Sequence, residues 1–164
     1  MTARAKWLPM MSAALCLPLV AAVVVLTHRT SDTTTVGAAR RAALAVAPGI
    51  ARDVLSYDYR TIDADIARAQ AETTATFAQQ YATTAAQLKS AAQTNHAIVQ
   101  AQPHAPGIVS ASTDNVVVLV FVDQVSVTEP AEATTPTTHA AESRVQMTLR
   151  HVNGKWLLAG LSAV

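Results

Sequence analysis

The chain has 164 residues, with twelve Lys/Arg against eleven Asp/Glu, five His and a single Cys. A net charge of +1 leaves no electrostatic footprint for DNA or RNA, so nucleic acid is excluded as a partner. One cysteine excludes both a disulfide framework within the chain and a cysteine-based zinc site.

Arg4 and Lys6 precede residues 7–26, WLPMMSAALCLPLVAAVVVL, twenty residues without one charged side chain. A helix rising about 1.5 Å per residue covers roughly 30 Å over this length, the thickness of a bilayer's hydrocarbon core. In lipid the backbone polar groups must pair within the segment, which makes a helix the single-segment solution. Pro9 falls in its first turn, where a missing N–H costs little, whereas the interior Pro18 predicts a kink. A cleaved signal peptide is the alternative. Its apolar region is shorter, about 7–15 residues, and Thr27-His28-Arg29 makes a poor cleavage site. Cys16 follows Leu15, where lipoprotein processing wants a small residue. Arg4 and Lys6 before the run, against Arg29, Arg40 and Arg41 beyond it with Asp32 between, give a weak inward bias to the N-terminus. The expected organisation is a cytoplasmic segment 1–6, a transmembrane helix 7–26, a Thr-rich tether 27–36 and an extracytoplasmic domain 37–164. That domain is near neutral, and its size suits one core rather than two.

From Gly37 an Ala-rich helical pattern runs to an interruption at Pro48-Gly49 and resumes as IARDVLSYDY, with Ile50, Val54 and Tyr57 on one face. Thr61 reads as an N-cap, and Asp63 and Asp65 follow in the first turn, where carboxylates complement the helix dipole. Ile62, Ile66 and Ala69 form the stripe of this second helix. A third spans about residues 73–93, capped by Thr73 or Thr74, with Phe77, Tyr81, Leu88 and Ala92 on its buried face.

At Ala97 the period changes towards 2. Residues 97–102 and 107–112 read as strand pieces broken by Pro103 and Pro106, at a sheet edge or a bulge. After a turn at Thr113-Asp114-Asn115, residues 116–127 are the strongest strand, apolar on both faces from Val116 to Val122. Residues 128–141 read as a polar loop. Residues 142–152 alternate Val145, Met147, Leu149 against Arg144, Gln146, Thr148, Arg150, and Asn153-Gly154 marks a type I′ hairpin into a last strand. Helices followed by an antiparallel meander of four strands imply α+β, with helices on one face of the sheet. The second apolar face of strand 116–122 then needs a cover of its own.

Four stretches taken together, LSYDYRTIDADIARA (55–69), Phe77 with Tyr81, VVVLVFVDQ (116–124) and SRVQMTLRHVNGKWLLAGLSAV (143–164), resemble the Mce-associated (mammalian cell entry) membrane proteins of actinobacteria. The resemblance covers nearly all of the chain from residue 7. It implies helices on a curved antiparallel four-stranded sheet, an NTF2-like, SnoaL-like cone outside the membrane. It also implies a non-enzymatic role without cofactors, supporting an Mce transporter for fatty acids or sterols. The expected partners are the lipid bilayer, Mce transporter subunits, a lipid ligand and further copies of the chain. Tyr57, Asp58, Tyr59 and Arg60 match the family's signature. They read either as packing of a helix corner or as a partner-binding cluster. Phe121, Asp123 and Trp156 are the ligand-pocket candidates on such a cone. The alternatives are a hydrophobic-ligand-binding module, or a SnoaL-like isomerase or cyclase with Asp123 as general base. His28, His96, His104, His139 and His151 form no metal-ligand pattern, and there is no Gly-rich phosphate loop. An apolar patch outside a filled core favours the accessory role, and an open apolar pocket favours the ligand module.

Overall fold

The computed structural model of the protein describes residues 34–129 and 135–164, so the apolar run 7–26 and most of the expected tether lie outside the described residues. Among the described residues no helix is long and apolar enough to cross a membrane. Helix α1 occupies 34–55, so residues 34–36 are helical rather than tether. Its buried stripe is Ala39, Ala43, Ala47, Ile50, Ala51 and Val54, a spacing of three and four that puts small side chains against the sheet. The expected break at Pro48-Gly49 does not occur. An interior proline costs about 3 kcal/mol, but burial of Ile50 and Val54 beyond it contributes about 1.5–3 kcal/mol each.

Strand β1 (Tyr57–Asp58) follows, then α2 (Ile62–Ala71) and α3 (Ala75–Thr94), then β2 (Ile98–Ala111), β3 (Asn115–Thr128), β4 (Thr137–Val152) and β5 (Lys155–Ala163). The sheet is an antiparallel meander in the order β1-β2-β3-β4-β5. Five strands replace the four expected, because a two-residue strand carries no period to read. The two pieces around Pro103 and Pro106 are one strand with register shifts after His104 and Ile108, and Ala105 takes a positive φ of 47° inside the irregularity. The expected loop 128–141 is shorter than the sequence suggests. Thr137 to Ala141 pair with Thr128 to Gln124 and extend the hairpin beyond the core. Asn153 and Gly154 have φ of 50° and 81°, the left-handed pair that a type I′ turn requires.

The core lies between the helices and one face of the sheet. Val116, Val118, Val120 and Val122 of β3 are at most 1% exposed and pack with Val145, Met147, Leu149 and Leu158 against the α1 stripe and Ala69. The α2–α3 junction is pinned to β5 by two backbone bonds, Thr74 N–H to Leu158 C=O at 2.9 Å and Leu158 N–H to Glu72 C=O at 2.8 Å. Ala38–Val164 form one compact unit.

Candidate functional site

The YDYR segment is held by a buried carboxylate four residues past Thr61. Thr61 occupies the N-cap position of α2, but its side chain makes no cap bond; its hydroxyl donates to Asp65 Oδ2 at 3.0 Å. The Asp65 carboxylate also accepts from the Asp58 backbone N–H at 2.9 Å and from Arg68 Nη1 at 2.8 Å. Burial alone would raise the Asp65 pKa, but these donors outweigh it and hold the group below its ordinary value. Arg68 also reaches Asp53 on α1 at 3.3 Å, so one ion network joins α1, β1 and α2. Asp63, equal to Asp65 by sequence position, is exposed and bonded to Lys89. Both carboxylates sit in the first turn of α2 as expected, and two residues apart they point in different directions, Asp65 inwards and Asp63 outwards.

Around this corner the four signature residues take different roles. The Arg60 guanidinium clasps both oxygens of Asp58, with Nε at 2.9 and 3.0 Å, and lowers the Asp58 pKa. Tyr59 stacks on His96 with ring centroids 4.8 Å apart, and the Arg60 guanidinium carbon lies 5.8 Å from the Tyr59 ring centre. Tyr57 turns away from the other three and lines a cavity.

That cavity, about 430 Å³, lies between the end of α1, β1, α3 and the helix-facing side of β3 and β5. Val54, Leu55, Phe77, Leu88 and Leu161 supply apolar walls. Tyr57, Tyr81, Gln80, Thr84 and Gln124 supply the polar groups, and no charged side chain lines it. Gln80 and Thr84 are exposed and form the rim. Burial raises the pKa of both tyrosines, so each stays a neutral hydroxyl at physiological pH. Phe77, Tyr81 and Leu88 were legible as the inward face of α3. Gln124 and Leu161 were not, although both sit on the helix-facing side of their strands, in phase with Val122 and Met147.

The structure does not gather Phe121, Asp123 and Trp156 into this cavity. Phe121 and Asp123 lie on the opposite face of β3, one residue out of phase with the buried valines. Phe121 is 40% exposed, and Asp123 Oδ2 sits 3.7 Å from His104 Nδ1, beyond hydrogen-bond reach, with both side chains more than half exposed. Trp156 packs half-buried against the core, beside His151. Among the described residues no three His, Cys, Asp or Glu side chains converge as metal ligands would.

The outer face of the sheet carries Val117 and Leu119 half-buried, with Phe121 and Val125 (43% exposed) open, and Val109 is 57% exposed at the irregularity of β2. The core places α1 and α2 on the other side, and no described element covers this one. Arg144 and His104 flank Phe121 across the ladder, while Glu142 and Gln102 flank Asp123.

No protein-family model matches the chain. It is 37% identical over 130 residues to the Mycobacterium tuberculosis protein named outer membrane protein Rv1973, a match covering 75% of this chain and 78% of that protein. It is 33% identical over 144 residues to the uncharacterized protein Rv1362c of the same organism, covering 84% of this chain. The chain spans 60% of that relative's length. Among solved structures, the periplasmic domain of DotI is similar at a TM-score of 0.59 and 15% identity, covering 76% of this chain and 94% of that one. An IcmL-like type IV secretion system protein from Legionella pneumophila is similar at 0.56 and 12%, covering 74% and 88%. An Ntf2-like protein involved in plasmid conjugation follows at 0.52 and 14%, covering 74% and 47%. At these identities the likeness is one of fold, which is NTF2-like α+β.

Proposed function

The chain belongs to the same family as the Mycobacterium tuberculosis protein named outer membrane protein Rv1973, and from that premise we propose a non-enzymatic, membrane-anchored accessory protein of the cell envelope. In this reading residues 7–26 cross the cytoplasmic membrane once with the N-terminus inside. The NTF2-like domain stands on the outer side and supports an Mce-type lipid import complex by direct contact with a transporter subunit. The observation that carries the proposal is the open sheet face. Phe121 and Val125 are exposed on a ladder whose other side packs its valines against the helices, the arrangement of a preformed protein-binding surface. The name of the relative supports an envelope location. The Arg60–Tyr59–His96 cluster offers a second, smaller contact point with an aromatic and a cation already in place.

Photocrosslinking from position 121 in intact cells, followed by solubilisation and mass spectrometry, tests the proposal. The expected product joins the chain to an Mce transporter subunit, and Phe121→Glu lowers recovery of that subunit at least about tenfold. Recovery of no transporter subunit, or recovery unchanged in Phe121→Glu, overturns the reading. Added protease should reach the domain once the outer envelope is permeabilised while the cytoplasmic membrane stays sealed. Protection under those conditions would place the domain inside.

A further inference from the structure

The cavity beneath α3 is on the opposite side of the sheet from the proposed docking face, and a docking role leaves it without a purpose. Five apolar side chains converge there around polar groups that none of the described residues engages. No hydrogen bond within the described protein involves the hydroxyls of Tyr57 and Tyr81 or the side-chain amides of Gln80 and Gln124. Convergent polar groups in an apolar hollow orient a ligand, and the hollow falls in the size range of small-molecule sites.

We infer that this cavity binds a single-chain amphiphile of about ten carbons with an uncharged, hydrogen-bonding head group, its chain against Phe77, Leu88 and Leu161. Length follows from volume. A methylene takes up much the same space as a water molecule, about 30 Å³, so 430 Å³ holds a chain of this size together with its head group. Head-group class follows from charge. No lysine, arginine or histidine lines the site. The nearby Arg68 is already shared between Asp53 and Asp65. A carboxylate head would therefore lose its hydration without gaining a counter-ion, whereas an alcohol or amide can use the Gln80, Tyr81 and Gln124 side chains.

The test uses the full chain in phosphatidylcholine nanodiscs and a diazirine-bearing decanol, with labelled positions read by peptide mass spectrometry. Labelling concentrates on the segments holding Tyr57, residues 77–88 and Leu161, and decanol competes at least about tenfold better than decanoate at equal bilayer-bound concentration. Thr84→Trp and, separately, Gln80→Trp fill the rim from exposed positions. Each lowers labelling at least about tenfold with thermal melting unchanged, whereas Phe121→Ser leaves it unaltered. Labelling that survives both tryptophan variants, or that falls only outside these segments, overturns the site. Equal competition by decanoate overturns the head-group assignment. Because Phe121→Glu tests the transporter contact and the rim variants test the cavity, failure of one leaves the other readable.

Discussion

Val120 and Phe121 are adjacent in the chain and opposite in environment: the first is wholly buried under the helices, the second 40% exposed on the open face. The contrast extends along β3, with Val116, Val118 and Val122 sealed while Val125 stands out and Val117 and Leu119 are covered only in part. One strand thus carries two apolar stripes of similar composition. One is packed against the helices and the other stays open. The difference comes from the small-residue stripe of α1, whose alanines let a helix sit flat on one side and leave nothing for the other.

The comparison breaks first if the buried stripe tolerates charge. Val120→Asp places an unpaired carboxylate in a closed core and should cost more than about 4 kcal/mol, preventing folding. Circular dichroism of the purified chain should show the loss, while Val125→Asp, five residues on and outward, stays folded. Next in size is the network holding the helical cover in place. Asp65→Ala leaves the Asp58 amide and Arg68 without their shared acceptor and should cost about 2–3 kcal/mol in urea unfolding. Its pH dependence has a definite sign. The native pKa lies below the unfolded value of about 3.9, so the stabilisation is complete above that value and is lost as pH falls through the native one. Asp65→Asn should therefore flatten the decline of stability below about pH 4, though the depressed Asp58 leaves a residual slope of the same sign.

A smaller effect, of opposite direction, sharpens the account of the cover. If burial of the α1 stripe holds the helix through Pro48, then Pro48→Ala restores a bond to the Leu44 carbonyl and should stabilise by about 1–2 kcal/mol. An unchanged or lower melting temperature would mean the helix bends there to advantage. The smallest effect is expected on the open stripe. Val125→Thr keeps β-branching and should change stability by less than about 0.5 kcal/mol, while reducing recovery of the crosslinked partner. A larger loss of stability would show that this face is packed in the free protein.

How much of this could be read in advance depends on how each feature is encoded. The alternation of Val145, Met147 and Leu149 and the Asn153-Gly154 turn translate directly into β4, β5 and the hairpin, because a local period and a left-handed turn pair need no distant partner. Strand β1 was invisible. Its two residues are strand only because Ile98 and Val99 lie alongside. The extension of β4 through Thr137–Ala141 was hidden too, since residues 137–141 carry no apolar alternation and pair only by continuing an established ladder. Phe121 and Asp123 could be marked as conspicuous, yet not placed.

Local pattern alone determined that helices precede an antiparallel meander, where its tightest turn lies and that residues 116–122 carry two apolar faces. Packing decided which face the helices took, and with it that Gln124 and Leu161 meet a cavity while Phe121 and Asp123 meet the surroundings. The physical reason is that alternation divides a strand into two sides without ranking them. When both sides are apolar, only the shape of what arrives from elsewhere in the chain settles which one is buried.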